Sequence, residues 1–122
     1  MTSPPPASLP SPRLSVVIPC RNEAGNIGPL IAGIETALAP LSPFEVIVVD
    51  DGSTDTTPRT VLDMAATRPW LRLLQHPVWG GQSGGVHNGA IAARAPIVVT
   101  LDGDGQNPPE ELPKLVAPLL DG

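Results

Sequence analysis

Apolar residues fall into four short runs, each ending in polar or glycine-rich sequence. Leu14-Ser15-Val16-Val17-Ile18 is the first, and Pro19 is expected to end it. Phe44-Glu45-Val46-Ile47-Val48-Val49 is the second and leads into Asp50-Asp51-Gly52-Ser53. Leu71 to Leu74 is a shorter third run, and Ile97 to Leu101 is the fourth. Near-continuous, β-branched runs of this length read as strands buried on both faces. Helical spacing occupies the intervals. Ile27, Leu30, Ile31, Ile34 and Leu38 share one face of a helix expected from about Ala24 to Ala39, which Pro40 and Pro43 end. Thr57-Pro58 looks like an N-cap followed by proline at the first helical position. The helix it opens carries Val61, Leu62 and Ala65 and stops before Pro69. Ser83 is placed to cap a third helix to about Arg94. Asn107 and Glu110 have capping-box spacing ahead of a last helix, which Pro113 suits at its start and Pro118 weakens. Met1 to Pro12 is rich in Pro, Ser and Ala and has no periodicity, so it reads as a disordered tail to a folded part at 13–122.

Strand and helix in alternation predict an α/β fold: a three-layer α/β/α sandwich around a mainly parallel, Rossmann-like sheet. Right-handed crossovers gather all strand C-termini on one edge, where open sheets of this kind bind ligands. Pro19–Glu23, Asp50–Ser53 and Asp102–Gln106 are therefore expected to meet there. That edge would hold Glu23, Asp50, Asp51, Asp102 and Asp104. Asp102-Gly103-Asp104 is the sharpest feature. Two carboxylates separated by one glycine repel each other unless a cation sits between them, and Mg²⁺ or Mn²⁺ prefers oxygen ligands shared with phosphates. A plain Asp-Gly turn, or capping of the next helix by Asp51, is the simpler alternative. It explains one or two of these acids but not the whole set. Arg21 could balance the acids, touch a phosphate or be an ordinary surface residue. Gly80 to Gly85 could approach a diphosphate at a helix N-terminus, although helix packing explains the glycines equally well. It matches neither the dinucleotide fingerprint nor the P-loop. His76 and His87 are not spaced as a metal pair, and Cys20 suits a small buried position better than a nucleophile.

Composition narrows the possible partners. The chain has 122 residues, a size for one domain with a real core. Aromatics are only 2%, so Val, Ile, Leu and Ala must build that core. The formal net charge of −5 argues against nucleic acid or an anionic membrane surface as a partner of this segment. A single cysteine excludes an internal disulfide. There is no basic stretch followed by an apolar one, and no apolar run near the roughly 20 residues of a membrane helix. The expected setting is the cytoplasm or the cytoplasmic face of a membrane. A phosphoacceptor receiver domain would also have a parallel sheet and an acidic pocket. It needs a lysine at a late strand end, and the only lysine, Lys114, follows the fourth strand in an expected helix.

Four stretches together resemble glycosyltransferase family 2, with the GT-A fold, and within it the polyprenyl-phosphate hexosyltransferases of the dolichol-phosphate mannosyltransferase type. They are Val16–Glu23, Val46–Asp55, Gly81–Gly89 and Leu101–Glu110, in family order and spacing. The resemblance implies an inverting transfer of a hexose, mannose first, from a GDP-mannose-like or UDP-sugar donor to a polyprenyl or dolichyl phosphate. It implies that Pro19, Arg21 and Glu23 line the nucleotide pocket, that Val48 and Asp50 hold its base and ribose side, and that Asp51 also binds the nucleotide-sugar. Asp102, Gly103 and Asp104 would form the DXD element, with Asp102 and Asp104 as the catalytic pair. Asp102, Asp104 and Gln106 would take Mg²⁺ or Mn²⁺. Arg21 stands where the family often has an aromatic residue. The resemblance also implies a longer catalytic domain, with an acceptor-binding half and possible membrane association beyond the half present here. On that expectation the chain binds donor nucleotide without efficient transfer and exposes apolar surface near its fourth strand and last helix.

Overall fold

The computed structural model describes residues 11–76, 92–103 and 108–121. Its elements run in the order β1 (Leu14–Cys20), α1 (Ala24–Leu38), β2 (Phe44–Asp51), α2 (Thr57–Ala65), β3 (Leu71–His76), β4 (Ile97–Thr100) and α3 (Leu112–Asp121). Single 3-10 turns follow α1 at Ala39–Leu41 and precede α3 at Pro109–Glu111. The strands form one four-stranded sheet in the order β3-β2-β1-β4, with every neighbouring pair parallel. This is the expected α/β architecture with a parallel sheet.

Alternate residues of each strand serve different layers. Leu14, Val16, Ile18 and Cys20 join Val46 and Val48 in a core with Ile27, Leu30, Ile31, Ile34 and Leu38 of α1, Val61 of α2, and Leu112 and Val116 of α3. Each such aliphatic side chain contributes about 1.5–3 kcal/mol on full burial. Val17, Ile47 and Val49 face the other way and pack with Leu74, Ala92 and Ala93. The third helix expected from Ser83 lies outside the described residues as far as Ile91.

Thr57 is the first residue of α2 and not its cap, since Thr56 is the N-cap residue. β2 runs on to Asp51 and β4 ends at Thr100. Two further details differ from the sequence expectation. Pro19 does not end β1, which continues to Cys20. The ladder explains it. β1 pairs with β4 only as far as Val17↔Thr100, while its pairing with β2 runs on to Cys20↔Asp50. Val17 O accepts the Leu101 N–H at 3.0 Å, so Val17 bonds toward β4. Pro19, two residues on, turns the same way, to a side where the ladder has stopped and a missing N–H costs nothing. Secondly, β3 extends past Leu74 to His76, in register with Asp51.

Close contacts seat the segment beyond β4. A β-carbon placed on Gly103 would lie 2.7 Å from Cys20 Cβ and 3.3 Å from the Pro19 carbonyl oxygen. One placed on Gly33 of α1 would lie 2.9 Å from Pro109 Cγ. Only glycine admits these approaches. Val98 of β4 and Leu115 and Leu119 of α3 are exposed, in the region where apolar surface was expected.

Candidate functional site

The C-terminal ends of β1 and β2 lie side by side, and their following loops interlock. Asn22 adopts φ 56, a left-handed conformation that asparagine tolerates. Its side-chain oxygen accepts the Thr54 N–H at 2.8 Å, and its own N–H donates to Ser53 Oγ at 2.8 Å. Ser53 in turn donates its hydroxyl to Asp50 Oδ1 and its N–H to Oδ2, the latter at 3.3 Å. A second set of bonds joins the helix starts. Glu23 N–H donates to Thr57 Oγ1 at 2.9 Å, and Ala24 N–H to Asp55 Oδ2 at 3.3 Å. Asp55 Oδ1 accepts both the hydroxyl and the N–H of Thr57, at 2.5 and 2.9 Å. The Thr57 hydroxyl bond is the main reason the Asp55 carboxyl stays below its ordinary pKa. The result is one rigid rim made from two loops far apart in sequence.

The expected site residues take distinct places on this edge. Pro19 and Asp51 are buried, and Asp51 ends β2 on the opposite face of the sheet from Asp50. Asp50 is buried and committed to Ser53, so its carboxylate shapes the turn it sits in. Val48 is fully buried, with its side chain in the core beneath the edge. Arg21 is exposed, and Glu23 is half-buried and accepts the Asn26 side-chain amide at 2.8 Å. Asp102 is exposed at the mouth of the third loop, and Gly103 is buried against the end of β1. Asp104 and Gln106 lie outside the described residues. Among the described residues no three acidic, histidine or cysteine side chains converge as a metal set. The one expected ligand that is described, Asp102, supplies the oxygen donor and the open exposure that a hard divalent cation requires.

Cys20 sits between these loops as a buried free thiol. Its pKa is pushed up to about 12, first by burial and then by the charges of Asp50, Glu23 and Asp55. A thiol this reluctant to ionise is no nucleophile at neutral pH.

Sequence reasoning missed the polar cluster at the other end of the sheet. Glu45, 1% exposed, accepts the Ser15 hydroxyl at 2.6 Å and the Arg94 N–H at 2.7 Å through Oε2. Its Oε1 accepts Arg72 Nη2 at 3.0 Å and Arg94 Nε at 3.1 Å. Burial alone would raise its pKa. The bonds from Arg94 N–H and Ser15, with the Arg72 charge, outweigh burial and hold the carboxyl below its ordinary value.

A four-stranded parallel sheet with interlocked loops after β1 and β2 defines an open α/β domain. The family model for glycosyl transferase family 2 matches residues 15–122, and the chain belongs to that family. It is 38% identical over 112 residues to an undecaprenyl-phosphate 4-deoxy-4-formamido-L-arabinose transferase of Aeromonas hydrophila, covering 89% of this chain and 34% of that one. To a dolichol-phosphate mannosyltransferase of Pyrococcus furiosus it is 34% identical over 110 residues, covering 90% and 31%. The chain thus spans about a third of the length of these relatives. Among solved structures, a Pyrobaculum calidifontis mannosyltransferase in complex with GDP-Man and Mn²⁺ superposes with a TM-score of 0.70. Its identity is 34%, and the match covers 84% of this chain and 30% of that one. No helix among the described residues is long and apolar enough to cross a membrane.

Proposed function

We propose that residues 13–122 form the donor-binding part of a glycosyltransferase that moves a hexose from a nucleotide-sugar to a polyprenyl phosphate, at the cytoplasmic face of a membrane. The observation that carries this reading is the meeting of the β1, β2 and β4 loops at one sheet edge in a family 2 chain. The relatives named above differ in sugar. Two of the three act on or bind mannose, which makes a GDP-mannose-like donor the first to test, with UDP-sugars second.

In this reading Pro19, Arg21 and Glu23 form one wall of the nucleotide pocket, with Val48, Asp50 and Asp51 behind it. Asp50 acts by bracing Ser53 and, through it, the Asn22 turn. The loop after β4 would supply the contacts to the diphosphate. Asp102, Asp104 and Gln106 hold Mg²⁺ or Mn²⁺, and Asp102 and Asp104 are the catalytic pair. When bound, the cation offsets charge that develops on the departing diphosphate. A phosphate acceptor is already anionic near neutral pH, so the chain needs no strong general base. Gly103 lets the backbone that follows Asp102 lie against the end of β1, because a larger residue could not rest on Cys20.

Titration calorimetry with GDP and UDP, in Mn²⁺ and in EDTA, tests this. Binding should depend on the metal, and Asp104→Asn should reduce that dependence while nearly keeping the size of the side chain. Equal affinity with and without EDTA would remove the metal role, and failure to bind either nucleotide would remove the donor-binding role.

A further inference from the structure

Glu45 lies at the opposite end of the sheet from the acidic rim, yet its bonds reach the segment that leads to that rim. Arg94 N–H donates to its Oε2, and the Arg72 group bound to its Oε1 also donates to the Ala92 carbonyl oxygen at 2.7 Å. Ser15, which donates to the same carboxylate, accepts the Ala95 N–H at 3.2 Å. Two consecutive backbone N–H groups are thus fixed immediately before β4 begins at Ile97. Their anchors belong to β1 and β2, where Ser15 and Glu45 are direct partners in the ladder.

β4 needs such an anchor. It is four residues long, and among the described residues β1 is the strand it pairs with. Ile97 and Val99 are half-buried, while Val98 and Thr100 are exposed. A slide by one residue would turn the exposed pair inward, so burial opposes it. A slide by two keeps every side chain on its own face, and burial discriminates against it weakly. Such a slide would carry Asp102 about 7 Å along β1, at roughly 3.3 Å per residue. It would also take Gly103 away from Cys20.

We infer that Glu45 is a positioning residue for the candidate site: its carboxylate, with Ser15, sets the register of β4 on β1 and thereby places Asp102 and Gly103 at the far edge. The consequence for ligand binding rests on the donor-binding reading; the register does not. Arg72 and Arg94 keep the carboxylate charged and aimed, and Ser15 extends its hold to Ala95.

The test uses Glu45→Gln and the milder Ser15→Ala in the whole chain, read in two ways. Hydrogen exchange follows the Leu101 N–H, which bonds to Val17 O, against the Val46 N–H, which bonds to Trp70 O outside β4. Calorimetry follows GDP or UDP, whichever the unaltered protein binds, with Mn²⁺ and with EDTA. In Glu45→Gln the Leu101 protection should fall by about tenfold, the scale of one hydrogen bond to a charged group. Val46 protection should fall by no more than the loss in global stability, clearly less than that of Leu101, and metal-free affinity should hold within about twofold, while the gain in affinity from Mn²⁺ should fall by about tenfold. Adding Glu45→Gln to Asp102→Asn should cost less metal-dependent affinity than Glu45→Gln costs alone, as for two changes that act partly through one group. Unchanged Leu101 protection in both variants would overturn the proposal, and so would equal losses with and without metal. If Glu45→Gln fails to fold, Ser15→Ala decides. If the unaltered protein shows no gain from Mn²⁺, the donor-binding reading fails, while the exchange data still judge the register.

Discussion

Gly103→Ala asks how tightly the third loop is seated. The new methyl carbon would stand 2.7 Å from Cys20 Cβ, 3.3 Å from Pro19 O and 3.5 Å from Cys20 Cα. Carbon atoms prefer about 3.5–4.0 Å, so the first contact overlaps by roughly 1 Å. None of the three atoms belongs to a flexible side-chain tip. Cys20 Cβ is fixed to a strand paired with β2, so the loop must move away from β1. Overpacking of this kind costs about 1–3 kcal/mol. For a domain near this size each kcal/mol lowers Tm by about 3–5 °C. Gly25→Ala is the control, since nothing lies within 4 Å of its added carbon. It should be neutral or stabilising by up to about 1 kcal/mol, as removal of a helical glycine often is. Thermal and urea unfolding of both variants would measure the difference. In Gly103→Ala, nucleotide affinity in Mn²⁺ should fall along with stability. A Gly103→Ala protein as stable as Gly25→Ala would refute the contact, and with it the seating of Asp102 against β1.

Three other outcomes follow from the same geometry. Thr57→Val keeps the shape but strands the Glu23 N–H and one Asp55 bond, and should cost about 1–3 kcal/mol in urea unfolding. Burial pushes the Cys20 thiol from its ordinary 9.0 up to about 12 in the folded protein. Its contribution is therefore whole below pH 9 and lost as pH rises toward 12, a decline that Cys20→Ala should lack in unfolding curves taken across that range. The Glu45 carboxyl is held below its ordinary 4.5, so its contribution is present above that pH and lost as pH falls beneath it. The stability gap between the unaltered protein and Glu45→Gln should narrow in acid.

The strands and the helices α1 and α2 were legible because burial writes a period into the sequence, as Ile27 to Leu38 and Val46 to Val49 do. The shared edge was legible for a similar reason: parallel order follows from alternation. Pro19 misled because its effect depends on whether a neighbour still pairs on its N–H side, and only the β1–β4 register reveals that. The locks among Asn22, Ser53, Thr54, Asp55 and Thr57 use ordinary loop residues and carry no periodic signal. The Glu45 cluster did leave a trace. Ser15 and Glu45 are each the second residue of an otherwise apolar run, and the ladder makes them partners. Their links to Arg72 and Arg94 span residues far apart along the chain, and pattern alone could not supply them.

The two glycine contacts also constrain how the sequence can drift. Gly103 rests on Cys20 and Pro109 rests on Gly33, so the stretch between residues 103 and 109 is moored at both ends to β1 and α1. A side chain at Gly33 is admissible only after Pro109 has shrunk, and one at Gly103 only after the end of β1 has given way. Each pair must therefore change in a set order. Homologues that lack one glycine should carry a smaller residue at its partner position, so substitutions in the loop after β4 would be correlated with substitutions in β1 and α1.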